Sequence, residues 1–208
     1  SDTALALVRE AQQIIRPDLR VVIMSATIDT DYICSSLNAP LVESRGRMYD
    51  VEIIHTDETD VYECASHVAS VVMKAHREHE GDILAFLPGQ AEIMRCQEIL
   101  GDSLGSTNVL PLYGMLSPQQ QRRAIMPSRE GERKVVLATS IAETSLTIEG
   151  VRVVVDSGFC RRMVFDPRNG LSHLDTVRIS MDMARQRTGR AGRVGEGICY
   201  RLWTLATE

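Results

Sequence analysis

Apolar residues recur at two spacings along this chain, and each change of spacing marks a new element. Over residues Thr3–Ile15, Leu5, Val8, Gln12 and Ile15 lie near one side with Ala4, Leu7, Ala11 and Ile14 beside them. That spacing predicts an amphipathic helix, which Arg16-Pro17-Asp18 ends. Leu19–Met24 follows as an apolar, β-branched run, the pattern of a strand buried on both faces of a parallel sheet. Such a strand has an edge to satisfy and invites pairing with a neighbour. A short helix is predicted near Asp31–Leu37. Asn38-Ala39-Pro40 and then Ser44-Arg45-Gly46-Arg47 read as irregular chain, a candidate linker.

Beyond it the pattern restarts as an alternation of strands and helices. Strands are predicted at Val51–His55, Ile83–Leu87, Val109–Leu112, Lys134–Ala138, Val151–Asp156 and Ile198–Leu202, with helices at Val61–His76 and Ala91–Leu100. Ser117-Pro118-Gln119-Gln120 has the form of a helix start, with Ser as cap, Pro at the first position and Gln closing a capping box. Alternation of this kind builds βαβ units with right-handed crossovers. The expected fold is therefore a doubly wound α/β parallel sheet with helices on both faces, preceded by a helix and strand belonging to something else.

Composition narrows the chemistry. The chain has 208 residues, 44% of them hydrophobic, and a formal net charge of −5. A wholly basic nucleic-acid surface is excluded, and any polyanion site must be local. The five cysteines, at 34, 64, 96, 160 and 199, form no CxxC pair. This disfavours a zinc site and fits reduced thiols. No apolar run reaches membrane-span length and no secretory signal opens the chain, so a cytosolic protein with no membrane partner is expected. His76 and His79, at helix spacing, are expected on an exposed face, and the five histidines form no constellation.

The local basic site stands out near the end, in Gln186-Arg187-Thr188-Gly189-Arg190-Ala191-Gly192-Arg193. On a continuous helix Gln186, Arg190 and Arg193 share roughly one face, which can hold a polyanion. Gly189 and Gly192 each cost about 1 kcal/mol against Ala in a helix interior, so they imply close backbone packing or close approach of a ligand. Guanidinium forks also suit phosphate oxygens better than ammonium groups do. In open parallel sheets ligands bind beyond the carboxyl ends of strands. Four predicted strand ends carry hydroxyls or glycines: Ser25-Ala26-Thr27, Pro88-Gly89-Gln90, Thr139-Ser140 with Glu143-Thr144-Ser145, and Asp156-Ser157-Gly158. Singly each reads as a cap or turn; together they read as a groove.

These blocks resemble, in family order, the later motifs of the DEAH-box helicases. The match comprises Ser25-Ala26-Thr27, Phe86 to Ile93, Leu112-Tyr113-Gly114 with Gln120-Gln121-Arg122-Arg123, Ala138 to Ile148, and Gln186 to Arg193. Phe86-Leu87-Pro88-Gly89 and the stretch from Val154-Val155-Asp156-Ser157-Gly158 to Phe165-Asp166-Pro167-Arg168 are similar to the bacterial HrpB-type branch. The resemblance implies two RecA-like (P-loop NTPase) domains, with ATP between them and single-stranded RNA, or alternatively DNA, across both. Residues 1–45 would be the end of the first domain and residues 46–208 the second, whose partner is the first domain of the same protein. Gln186, Arg190 and Arg193 would face the ATP γ-phosphate in catalysis, with Gly189, Ile125 and Glu149 beside the nucleotide. Ser25 and Thr27 would couple the nucleotide state to domain movement. Gly89, Gln90, Thr139, Ser140 and Thr144 would hold the nucleic-acid backbone.

No G-x-x-x-x-G-K-[ST] loop and no Asp-Glu-Ala-His run occurs here. The lysine and the carboxylate for ATP and Mg²⁺ are thus outside this chain, which alone should not hydrolyse ATP. Three positions depart from the family. Ser140 replaces the usual Asn, Ile125 a Phe that stacks on adenine, and Glu149 an Asp that meets the ribose. Together they imply loose nucleotide selectivity. The competing reading is a freestanding, non-catalytic RecA-like module that binds RNA or protein.

Overall fold

The computed structural model describes residues 2–24, 30–42, 49–144 and 146–207. The chain divides into two compact units, Ser1–Ser44 and Arg45–Glu208. The first holds helices α1 (Asp2–Ile14) and α2 (Thr30–Leu37). Gln12 Nε2 donates to Leu19 O at 2.7 Å and an Arg16–Asp18 ion pair closes the turn after α1. Leu19–Met24 carries the expected apolar residues but is not a strand. A strand exists through its ladder, and no neighbouring strand stands beside this run among the described residues of its unit. Val22 and Met24 remain 77% and 87% exposed.

The second unit contains β1 (Val51–His55), α3 (Cys64–Glu78), β2 (Asp82–Phe86), α4 (Gln90–Leu100), β3 (Asn108–Leu112), α5 (Pro118–Ile125), β4 (Lys134–Ala138), α6 (Ile141–Thr144), β5 (Val151–Asp156), β6 (Phe159–Asp166), β7 (Leu171–Arg178), α7 (Met181–Thr188) and β8 (Gly197–Arg201). Six strands make one parallel sheet in the order β1-β8-β5-β2-β4-β3. Every residue of β2 and β4 is buried, because side chains alternate between two covered faces. Ile83, Ala85 and Leu87 pack with Val68, Val72, Ile93 and Cys96 of α3 and α4. Leu84 and Phe86 point the other way, toward Ala124, Ala142 and Ala191. This is the doubly wound RecA-like sheet. The α5 capping box forms as read, with Gln120 N donating to Ser117 Oγ and Ser117 N to Gln120 Oε1.

Strands β6 and β7 pair antiparallel as a separate hairpin that periodicity did not predict. Half of β6 and most of β7 is exposed, so no buried face imposed an alternation on their sequences. His76 and His79 are half-buried, not on an exposed face: His76 Nε2 meets Thr107 Oγ1 at 2.8 Å, and His79 Nε2 meets Tyr200 OH at 2.7 Å. The five cysteines are free. Burial pushes the thiols of Cys64, Cys96 and Cys199 up to about 12, so they pack as small apolar residues. Among the described residues no cluster of three His, Cys, Asp or Glu could hold a metal, and no helix is long and apolar enough to cross a membrane.

Candidate functional site

Because all six strands run the same way, their carboxyl ends share one edge. The strand ladders extend past it: Leu87 N donates to Ala138 O at 2.8 Å, Thr139 N to Leu112 O at 3.1 Å, and Ser157 N to Phe86 O at 3.2 Å. These bonds hold Pro88-Gly89-Gln90, Thr139-Ser140 and Ser157-Gly158 side by side. Gly89 is the N-cap of α4, and a Cβ there would lie 2.7 Å from the Arg161 guanidinium carbon and 2.9 Å from Glu92 Oε2. Gln90 is exposed and Thr139 and Ser140 are half-buried at this edge. Thr144 ends α6. Ser25 and Thr27 lie outside the described residues.

The arginine-rich run does not form one helix. Helix α7 ends at Thr188, with Gly189 as its C-cap (φ −59°, ψ −15°). The chain then continues in tight turns, Arg190 N donating to Arg187 O at 3.0 Å and Ala191 N to Thr188 O at 3.1 Å. Gly192 supplies the reason. Tyr49 N donates to its carbonyl at 2.9 Å, and a Cβ on it would sit 2.5 Å from Tyr49 O. Close backbone packing, one of the two options its sequence context left open, is what this glycine provides.

As a result the three side chains are not equivalent. Gln186 is half-buried on the last turn of α7. The Arg190 guanidinium is turned inward, Nη1 donating to Leu146 O at 2.8 Å and Nη2 to Glu143 O. Burial and then neighbouring Arg193 push its pKa down to about 10. Arg193 is exposed, with Nη1 at 3.1 Å from Thr147 Oγ1. Both arginines thus meet the segment that leads from α6 to β5, the segment that also carries Glu149.

A buried cation sits beside Ile125, and the charge of Glu149 also acts on it. Lys134 Nζ donates to Ala124 O at 3.0 Å and to Met126 O, the carbonyls on either side of Ile125. Burial pushes the Lys134 pKa down, while Asp82 and then Glu149 oppose that. Ile125 is half-buried and Glu149 exposed. Both stand toward the amino ends of β4 and β5, opposite the edge that carries Gly89 and Thr139. The candidates therefore fall at separate places: Gly89, Gln90, Thr139 and Ser140 at the carboxyl edge, Ile125 and Glu149 toward the amino ends, and Arg190 and Arg193 against the segment after β4.

The joint among these elements is a residue that sequence reasoning did not single out. Arg187 is completely buried and bridges two acids. Its Nε donates to Glu143 Oε1 at 2.6 Å and its Nη1 to Asp156 Oδ1 at 2.7 Å and Phe159 O at 3.3 Å. The guanidinium also lies 4.7 Å from the centre of the Phe86 ring. Burial works against its charge, but Asp156 and Glu143 together outweigh that and raise its pKa. Burial raises the Glu143 pKa, and Arg187 draws it only partly back. Asp156 was the available signal, since an acid closing the apolar run Val153-Val154-Val155 requires a buried countercharge.

The profile described as Helicase conserved C-terminal domain matches residues 64–195, well over half of the chain. The chain belongs to the helicase conserved C-terminal domain family. It is 48% identical over 204 residues to the ATP-dependent RNA helicase HrpB of Escherichia coli (strain K12), covering 97% of this chain and 25% of that protein. To the pre-mRNA-splicing factor ATP-dependent RNA helicase prp22 of Schizosaccharomyces pombe it is 44% identical over 197 residues, covering 91% and 17%. The crystal structure of the Escherichia coli DEAH/RHA helicase HrpB superposes with a TM-score of 0.91 at 46% identity, over 98% of this chain and 26% of that one. A second structure, of the E. coli DExH-box NTPase HrpB, gives a TM-score of 0.87 at 46% identity, again over 98% of this chain and 26% of that one. The chain spans about a quarter of the length of HrpB. The motif-based resemblance to DEAH-box helicases of HrpB type, and the RecA-like fold it implied, both stand.

Within the helicase C-terminal domain, then, the Glu143–Arg187–Asp156 bridge connects three motif blocks. Glu143 belongs to the block after β4, Asp156 closes β5, and Arg187 precedes the arginine turn. Phe86, from the block after α3, completes the contact.

Proposed function

We propose that this chain is the second motor domain of an ATP-dependent RNA helicase, with residues 1–45 the end of the first RecA-like domain and residues 46–208 the second. The observation that carries this reading is the buried ion bridge that ties Arg187, at the start of the arginine turn, to Glu143 after β4 and Asp156 at the end of β5. Arg190, Arg193, Gln186, Gly189, Ile125 and Glu149 serve a nucleotide; Gly89, Gln90, Thr139, Ser140 and Thr144 serve a nucleic-acid backbone. Amides and hydroxyls grip phosphate and sugar without reading bases, as a translocating motor requires.

ATP, bound with Mg²⁺ on the first domain, would supply a phosphoryl group for transfer to water. This chain's residues fit the far side of such a site. Exposed Arg193 presents a guanidinium fork where charge builds on the transferred group. Arg190 needs only to exchange two carbonyl acceptors for phosphate oxygens. Gln186 can orient water. Ser25 and Thr27 would report the nucleotide state to the first domain's carboxylates.

Two measurements test the reading. The full-length protein is expected to hydrolyse ATP faster when single-stranded RNA is added, whereas this chain alone turns over none. Turnover by the chain alone, or a full-length protein indifferent to RNA, would contradict it. Ile125 offers an aliphatic face with less stacking energy than an aromatic ring, and Glu149 one methylene more than Asp. Turnover of ATP, GTP, CTP and UTP by the full-length protein should therefore be similar, and a strict preference for ATP would count against loose selectivity.

A further inference from the structure

We propose that Arg161 is an additional nucleic-acid contact, a guanidinium that clasps a backbone phosphate of a single strand beside Gly89 and Gln90. The inference rests on the reading of this sheet edge as the nucleic-acid groove. It begins with how the chain leaves β5. Gly158 has φ +79°, its N–H donates to Asp156 Oδ1 at 2.9 Å, and a Cβ there would lie 2.9 Å from the Trp203 ring. Only glycine adopts that conformation without strain in so little space. The turn lifts the chain off the sheet into β6 and carries Arg161 over the end of β2, the strand next to β5.

There the guanidinium fills the space that a side chain at position 89 would occupy, its Cζ and Nε each 2.7 Å from the Cβ position of Gly89. The missing side chain of Gly89 is thus what admits Arg161 to the edge. The neighbouring strand ends β4 and β2 then contribute the hydroxyls of Thr139 and Ser140 and the backbone and amide of Gly89 and Gln90, and β6 lays the Arg161 cation over the second of them. Adjacent strands are about 4.8 Å apart, so all three contributions lie along one short stretch of a bound strand. A groove built only from neutral groups positions a backbone; a cation adds attraction for its charge.

The state of Arg161 fits this task. Its side chain is 41% exposed, and it pairs with Glu92 Oε1 at 3.4 Å, well beyond the 2.7–2.9 Å typical of a charge-assisted bond. Its planar fork carries five donors. Two phosphate oxygens can be taken in the bidentate geometry that Glu92 does not supply, so Glu92 acts as the resident competitor that the phosphate displaces. This predicts opposite effects from the two partners of a single ion pair, an outcome a purely structural pair would not give.

The test uses the full-length protein and a fluorescently labelled single-stranded oligouridine RNA, with affinity measured by anisotropy across a salt series. Arg161→Gln is expected to weaken binding about tenfold at low salt and to flatten the slope of log affinity against log salt by about 0.7. Glu92→Gln should tighten binding several-fold. RNA-free ATP turnover and the melting temperature should match the parent protein in both. If Arg161→Gln keeps parental affinity and slope while Gln90→Ala weakens binding, the groove stands and the Arg161 contact is overturned. If Arg161→Gln weakens binding with no change in slope, the phosphate contact is overturned as well. Parental binding by both Arg161→Gln and Gln90→Ala would instead remove the groove reading on which this inference depends.

Discussion

Arg187→Ala is expected to destabilise the domain by about 3–5 kcal/mol, the cost of breaking a buried ion pair from one side. The effect is large because two carboxylates, not one, lose their countercharge. Asp156 is fully buried and Glu143 is 9% exposed, so neither can recruit enough water to replace the guanidinium. For a domain of this size the melting temperature should fall by about 6–20 °C. Arg187→Lys should recover little, since a single ammonium on a different stem cannot reach Glu143 Oε1, Asp156 Oδ1 and Phe159 O together, as the planar fork does. The check is urea unfolding of Arg187→Ala, Asp156→Asn and the double variant. The double variant should lose less than the sum of the singles, because the second change removes a charge that the first left unpaired. Strict additivity, or a loss below about 1 kcal/mol for Arg187→Ala, would show that the bridge does not hold these elements.

The central sheet was legible because burial on both faces leaves long apolar, β-branched runs. Strands β1, β4 and β5 begin and end where that pattern does, and the Ser117 cap formed because its chemistry is local. The differences between pattern and fold share a cause: a distant partner decides what a local pattern only suggests. Leu19–Met24 has strand composition but no ladder beside it. The 186–193 run has helical spacing on paper, yet Gly192 is required against Tyr49 O, and the helix stops at Thr188. The β6–β7 hairpin has a partner strand but no covered face to pattern it. Arg187 escaped notice for the same reason, since its partners lie 44 and 31 residues away in sequence. Only the folded chain shows that Arg187 is a buried joint, that Arg190 is turned inward and that Arg193 is exposed.

That distinction gives the second large effect. In the full-length protein Arg193→Ala is expected to lower the rate of ATP hydrolysis on the order of 10³-fold or more. It should leave the melting temperature unchanged, because the side chain is exposed and bonds only to Thr147 Oγ1 among the described residues. Arg190→Ala should match that loss in rate and also melt earlier. Its guanidinium donates to Glu143 O, in the last turn of the four-residue helix α6, and to Leu146 O just beyond it, so its loss removes a bond to the end of that helix. The loss in both should fall on kcat more than on KM, since a finger acts where charge develops and contributes less to binding the ground state. Affinity for single-stranded RNA should stay within about twofold, because neither side chain bonds to Gly89, Gln90, Thr139 or Ser140 among the described residues. Near-normal turnover in both variants would remove the finger role. An Arg190→Ala protein that melts earlier but turns over normally would reduce Arg190 to a cap on α6, leaving Arg193 as the one residue of this turn that meets the nucleotide.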